Sequence, residues 1–250
     1  MTGLTWLDDH TSFPDPGLAM PEGLLAAGAS LSIPRLAEAY SKGIFPWYNE
    51  GDPILWWSPD PRMVLACERF KVSRSLSKKL KQIAHTECTP DAPIRITTDV
   101  AFPAVMAACA GPRGTQRATW ISLDVQDAYY AWHQAGAVHS VETWIDGKLA
   151  GGLYGVCLGR FFFGESMFSH VSDASKLALA YLTRFLLTQG IRHIDCQQQT
   201  RHLASLGAAP MPRRQFLVLL ADALSQPSPI WRPGQLLQSG QLAPLGQTTS

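Results

Sequence analysis

Asp195 and Gln197 are the residues whose types and spacing invite chemistry first. They lie two apart in Ile-Asp-Cys-Gln, and an extended strand puts residues two apart on one face, with Ile194 and Cys196 on the other. A carboxylate in so short and apolar a strand needs a partner or a task. It is either a buried group satisfied by backbone amides or the polar centre of a reaction. Gly164-Glu165-Ser166-Met167-Phe168 offers a second acid beside the aromatic run Phe161–Phe163. Covalent catalysis has no support: the chain has no Gly-x-Ser-x-Gly, no His-Glu-x-x-His and no Gly-x-x-x-x-Gly-Lys-Ser/Thr. His139, His170, His193 and His202 lack metal-like spacing and are expected in structural roles. The five cysteines (Cys67, Cys88, Cys109, Cys157 and Cys196) are odd in number and form no Cys-x-x-Cys pair. They predict free thiols, no disulfide framework, no zinc site and a reducing compartment.

Cations cluster before residue 82. Arg69, Lys71, Arg74, Lys78, Lys79 and Lys81 follow one another with no acid between them. Lys71, Arg74, Lys78 and Lys81 recur at helical spacing, opposite an apolar face of Leu76, Leu80 and Ile83. Such a stripe is either a solvated face or a phosphate-binding ridge. Arg201, Arg213 and Arg214 form a second basic group. Of eight tryptophans, Trp47, Trp56 and Trp57 fall in a Pro/Gly-rich stretch and Trp120 just precedes a helix start. An indole there either packs or stacks on a splayed nucleotide base.

The elements that must carry these residues form an α+β pattern. Prolines 46, 53, 59 and 61 exclude a continuous helix or central strand there, so residues 1–62 predict a small loop-rich N-terminal domain. Its one helix is Ile33–Lys42, between Ser32 and Gly43. Residues 63–235 then become regular. Helices are predicted over Ser73–Ile83, Val100–Ala110, Leu123–Ala135 behind Ser122, Asp173–Gln189 behind Ser172, Thr200–Leu206 and Arg213–Leu224. Strands are predicted over His139–Ile145 and Lys148–Cys157, joined at Asp146-Gly147, then over Arg160–Phe163 and Ile191–Gln197. That order suits an acyltransferase of the N-acetyltransferase (GNAT) type. Residues 236–250 read as a polar tail. With 250 residues, 46% hydrophobic and 16% charged, the composition supports a sizeable core and excludes pervasive disorder. The net charge of +1 by itself implies neither nucleic acid nor membrane. No apolar run approaches the roughly 18 residues of a spanning helix, and the N-terminus lacks the basic start of a signal peptide. The expected location is the cytoplasm.

Laid side by side, several blocks closely resemble the leucyl/phenylalanyl-tRNA–protein transferase family. They are GIFPWYNEGDPILWWSPDPRMVL (43–65), TWI (119–121), HSVETW (139–144), GGLYGV (151–156), FFFGESMFS (161–169), ASK (174–176), IDCQQQTRHLASLGA (194–208) and PRR (212–214). The resemblance implies a small N-terminal domain followed by an N-acetyltransferase-like domain. It implies a bacterial enzyme that transfers Leu or Phe, and Met less well, from aminoacyl-tRNA to proteins beginning with Arg or Lys, marking them as N-degrons. It further implies Trp47 and Trp120 near the terminal adenosine, Tyr40 and Tyr129 around the cleft, and Met167 in the amino-acid pocket. Glu165, Asp195 and Gln197 match the polar catalytic region. Where the family pocket can carry Met and Phe, this chain has Leu153 and Leu182.

An aminoacyl ester is already activated, so the reaction needs no cofactor, ATP or metal. The enzyme must align two substrates, remove a proton and stabilise an oxyanion. Gln197 is expected to orient the amine or the ester carbonyl, and Glu165 to bind the cationic acceptor or the amino group of the transferred residue. Asp195 is expected either to hold Gln197 and favour the positive charge developing on nitrogen or to act directly as the general base. In this setting Lys71, Arg74, Lys78 and Lys81 are expected to meet acceptor-stem phosphates without reading sequence. Two rivals are a coenzyme-A-dependent N-acetyltransferase and a non-catalytic tRNA-binding adaptor. The first normally shows Arg/Gln-x-x-Gly-x-Gly/Ala at a helix start, which this chain lacks. The second leaves Asp195 and Gln197 without a purpose.

Overall fold

The computed structural model describes residues 4–89, 91–111 and 120–245; Thr119, in the short block around Trp120, lies outside the described residues. Proline and glycine divide the N-terminal stretch into short pieces. Strands β1 (Thr5–Leu7), β2 (Leu24–Gly28), β3 (Phe45–Pro46) and β4 (Leu55–Trp57) form a small sheet in the order β1-β2-β4-β3. Pro46 is tolerated because β3 is the edge strand. Helix α1 (Ile33–Ser41) is followed by Gly43 at φ +71°, the left-handed conformation a helix end favours.

A second sheet begins at Arg62. Its strands are β5 (Arg62–Ala66), β6 (Ile94–Thr98), β7 (Val138–Ile145), β8 (Lys148–Leu158), β9 (Phe161–Ser169), β10 (His193–Asp195), β11 (Ala209–Met211), β12 (Gly234–Leu236) and β13 (Leu242–Ala243). Their order is β11-β5-β10-β9-β8-β7-β6-β12-β13. The helices are α2 (Arg74–Thr86), α3 (Phe102–Ala110), α4 (Leu123–Gln134), α5 (Ala174–Thr188), α6 (Arg201–Ser205) and α7 (Arg213–Leu224). Ser73, Ser122 and Thr200 cap α2, α4 and α6 through their hydroxyls; Ser122 is the predicted cap, whereas Ser73 and Thr200, predicted as first helical residues, stand one place outside. The spacing also predicts Ser172 as the cap of α5, but Asp173 occupies that position at φ +69°.

The central strands are buried on both faces, so their sequences run apolar without clean alternation. Tyr154, Val156, Phe161 and Phe163 face one core, shared with α1, α3, α4, α7 and the small sheet. Leu153, Cys157 and Phe162 face the other, filled by α2 and α5. The polar composition after residue 235 predicts a tail, yet Leu236 is fully buried and pairs with Leu242. Gln235 and Gln238 anchor this segment by donating to the Glu87 carbonyl and carboxylate. These residues extend the sheet edge because their leucines have core to enter.

Two irregularities in β9 and β10 make room for a site. Between β8 and β9 the register moves from Gly155↔Gly164 to Tyr154↔Ser166, so Glu165 is the extra residue of a bulge. Bulges re-aim side chains, and this one aims an acid. Next to it, β10 pairs with β9 only at Ile194↔Phe162 and Asp195↔Phe163. This is the one parallel pairing among the described strands of the large sheet. Past Asp195 the chain leaves β9, while β9 continues to Ser169. The residue pattern predicts a strand to Gln197. Instead, Gln197 sits at φ +54°, held there by its N–H on Asp195 Oδ1 at 2.9 Å.

A Cβ at Gly155 would collide with the Phe163 carbonyl oxygen and the Phe162 ring beside this bulge. Gly155→Ala is expected to destabilise the protein by about 1–3 kcal/mol or more, read as a lower urea midpoint at an unchanged m-value.

Candidate active site

The gap between β9 and β10 opens into a cleft of about 390 Å³. Its apolar part is formed by Leu153 from β8, Phe162 and Met167 from β9, and Leu179 and Leu182 from α5. Leu203 and Leu206 close it from the segment after β10. At the mouth stand Trp47 and Trp120, with Gln198, Thr200 and His202 also lining the cleft. Trp47 is 39% exposed, its ring meeting Trp57 edge-on at 5.7 Å. Glu165 and Gln197 are polar groups of the cleft wall, with Gln197 Nε2 donating to Glu165 Oε1 at 3.1 Å.

Asp195 does not line the cleft. It is 0% exposed, and Arg62 donates to both its oxygens, Nε to Oδ1 at 2.8 Å and Nη2 to Oδ2 at 2.6 Å. Arg62 is equally buried. Its Nη1 donates to the Gly43 carbonyl, and its guanidinium lies against the Phe45 and Phe216 rings. The backbone-amide alternative for Asp195 is therefore only partly realised: one amide, that of Gln197, joins a two-pronged ion pair. Sequence reasoning missed Arg62. The signal was available, because an arginine opening the apolar run Met-Val-Leu-Ala needs a buried partner as much as Asp195 does.

Behind Glu165 runs a line of hydroxyls. Tyr40 Oη of α1 donates to Glu165 Oε1 at 2.8 Å, and Tyr129 Oη of α4 lies 2.5 Å from Tyr40 Oη. Both tyrosines are fully buried. They stand behind the carboxylate rather than around the cleft, because their rings pack among Trp132, Tyr154 and Phe163. Burial pushes the Glu165 carboxyl up to about 8; the Tyr40 hydrogen bond opposes this rise, the Asp195 charge adds to it, and Arg62 and Gln197 oppose it.

None of the residues of the basic stripe lines the cleft. Arg74, Lys78 and Lys81 are exposed along α2, opposite Leu76, Leu80 and Ile83. Lys71 is not on that helix: Ser73 starts it, and the Lys71 N–H bonds the Leu206 carbonyl instead. Lys79 is drawn into an ion pair with Asp173. In the second basic group, Arg213 is committed to the Ser58 carbonyl and, through its N–H, to Asp60. All five cysteines are free. Cys196 borders the cleft, and burial raises its thiol well above the ordinary range. His139 is held by Asp99 at 2.8 Å and stacked on Trp231. The HSVETW block thus supports the sheet rather than the cleft. Among the described residues, no helix is long and apolar enough to cross a membrane.

Comparison with known proteins gives consistent results. Residues 64–221 match the family model described as leucyl/phenylalanyl-tRNA protein transferase, and residues 29–60 match the model of that family's N-terminal domain. A leucyl/phenylalanyl-tRNA–protein transferase from Bordetella petrii is 58% identical over 248 residues, covering 98% of each chain. One from Bordetella bronchiseptica is 58% identical over 244 residues, covering 97% of this chain and 96% of that one. Among solved structures, a GCN5-related N-acetyltransferase from Kribbella flavida overlays at 10% identity and a TM-score of 0.36. That overlay covers 70% of this chain and 60% of the other, a loose likeness on which nothing further rests.

Replacing Arg62 by Leu strands a buried carboxylate and is expected to cost about 3–5 kcal/mol. The Arg62→Leu/Asp195→Leu double variant should recover much of that loss in chemical denaturation. Glu165 generates a separate stability signature. Its pKa is raised from 4.5 to about 8 on folding, so the folded state holds the extra proton between those values. Stability from this group is fully present below pH 4.5 and is lost as pH rises through 8. Glu165→Gln should therefore gain thermal stability relative to the parent as pH climbs from 5 to 9.

Proposed function

The chain belongs to the leucyl/phenylalanyl-tRNA–protein transferase family and is an aminoacyltransferase, and on that premise we propose that Glu165 is the proton acceptor of the transfer. The observation that carries this reading is the position of Glu165 in the cleft wall, with its carboxyl raised to about 8. A protein α-amino group has a pKa of roughly 8, so about a tenth is neutral at pH 7. Donor and acceptor of the proton are thus closely matched, which favours efficient transfer. Asp195 is unsuited to that task, since Arg62 and the Gln197 N–H occupy both its oxygens.

In the proposed sequence, the ammonium of the acceptor protein gives a proton to Glu165, which releases it to solvent; the freed nitrogen attacks the ester carbonyl and gives its second proton to Glu165. The new C–N bond forms, the ester C–O bond breaks, and protonated Glu165 returns its proton to the departing ribose oxygen. Gln197 orients the reacting groups, and Asp195 positions Gln197. Leu153, Met167 and Leu182 receive the Leu or Phe side chain, a pocket that separates one methylene by only ~1–3 kcal/mol. Trp47 and Trp120 suit stacking on the terminal base of the tRNA. Arg74, Lys78 and Lys81, with Lys71 beside them, meet acceptor-stem phosphates. The acceptors begin with Arg or Lys, and the reaction takes place in the cytoplasm.

The test is transfer of labelled Leu from Leu-tRNA to a peptide beginning with Arg, with a peptide beginning with Ala beside it. Transfer should be confined to the Arg peptide. Glu165→Gln is expected to lower turnover by about 10²–10⁴ while Leu-tRNA affinity changes only a few-fold. Turnover retained in that variant sinks the assignment. In a separate titration, replacing Arg74, Lys78 and Lys81 by Ala should reduce the slope of log affinity against log salt by roughly 0.7–0.9 for each phosphate no longer neutralised. An unchanged slope returns the stripe to a merely solvated face.

A further inference from the structure

The two tyrosines behind Glu165 have no place in the steps above, yet they are among the most completely buried side chains of the protein. Their hydrogen-bond direction follows from proton counting. Tyr40 has one hydroxyl proton, and it goes to Glu165 Oε1. The contact between the two phenols must then be made with Tyr129's proton. With Glu165 ionised the order follows: Tyr129 donates to Tyr40, and Tyr40 donates to Glu165. Burial raises both phenols above their ordinary range, so neither surrenders its proton.

Oε1 already accepts from Tyr40 and Gln197, while Oε2 has no partner among the described residues. A proton arriving at Oε2 leaves the whole line intact. No proton travels along the tyrosines, and the line acts on Glu165 only through the strength of its hydrogen bonds. Those bonds are stronger to a carboxylate than to a neutral acid, and each donor in a chain polarises the next.

We propose that Tyr129 and Tyr40 are positioning residues forming a one-way donor chain that keeps Glu165 ionisable as a base inside an otherwise desolvating site. The proposal rests on the assignment of Glu165 as proton acceptor. Tyr40 comes from α1 in the N-terminal unit, Tyr129 from α4 and Glu165 from β9. The small N-terminal unit therefore helps to set the protonation of a group carried by the larger sheet. The other groups facing Glu165 are Arg62 of β5, Asp195 of β10 and Gln197. The first two are locked onto each other, which leaves the tyrosines as the adjustable contribution. Trp132, Tyr154 and Phe163 surround the pair with ring contacts. Replacing a phenol by phenyl there leaves the ring packing in place.

The experiment compares the parent protein with Tyr129→Phe and Tyr40→Phe between about pH 6 and 10.5, by two readouts. One is single-turnover transfer from Leu-tRNA to the Arg peptide. The other is carboxyl ¹³C NMR of glutamate-labelled protein, with the Glu165 signal assigned by its loss in Glu165→Gln. Tyr40→Phe should move both midpoints alkaline by about 1–2 pH units. Tyr129→Phe should move them the same way by roughly 0.3–1 unit. Turnover lost at pH 7 should return at higher pH, with Leu-tRNA affinity held within about two-fold. That restoration separates tuning from packing, because a damaged fold loses activity at every pH. A Glu165 NMR midpoint unmoved in both variants overturns the proposal, even where transfer is slowed. A midpoint that moves in the absence of any transfer by the parent protein overturns the assignment of the reaction, while the donor chain stands.

Discussion

Two opposite charges withdrawn from water, Arg62 and Asp195, hold the architecture of the site. Neither side chain has measurable exposure beyond 1%, and a buried pair of this kind is tolerated only when its remaining hydrogen-bonding capacity is filled. Here it is filled by the Gly43 carbonyl and the Gln197 amide, and the guanidinium is walled by Phe45 and Phe216. Each of these partners belongs to a different part of the chain: the turn after α1, β3, α7 and the end of β10. A desolvated ion pair has little freedom to adopt a second geometry. Its cost is offset by specificity, and the specificity is spent on one turn.

That turn is where sheet geometry gives way to site geometry. Asp195 is the last paired residue of β10, and its carboxylate pulls the Gln197 N–H into a left-handed backbone. The bulge on β9 does the complementary thing one strand away. A regular sheet would send Glu165 and Gln197 to positions fixed by the pleat. The bulge and the turn instead bring their side chains within one hydrogen bond, at the edge of an apolar cleft. Burial raises Glu165, and the Tyr40 hydroxyl behind it opposes the rise.

The helices were legible because their signals are local. Ser73, Ser122 and Thr200 sit where their hydroxyls cap a first turn, and Leu76, Leu80 and Ile83 repeat at helical spacing. The hairpin β7–β8 was legible through Asp146-Gly147. Strands β5 and β6 were not, because each depends on partners far along the chain, His193–Asp195 for one and Val141–Ile145 for the other. In the site, Asp195, Gln197 and Glu165 stood out as polar residues in apolar surroundings. Arg62 did not, since it follows a run of prolines that reads as loop. The phenolic line was invisible for a simpler reason: a tyrosine on an amphipathic helix looks like core until its hydroxyl is seen to have a destination. Lys71 was misassigned because a charge stripe continues in sequence past the residue where the helix begins.

The Arg62–Asp195 contact joins residues 133 positions apart, and Tyr40 meets Glu165 across 125. Contacts of such long sequence separation form late and slow a chain's folding. During synthesis, Arg62 and Tyr40 emerge long before the acids that complete them. Helix α1 therefore waits with a phenol, and β5 with a cation, until the strands that carry Glu165 and Asp195 have been made. A protein whose family extends other finished chains thus completes its own candidate site only after contacts more than a hundred positions apart have closed.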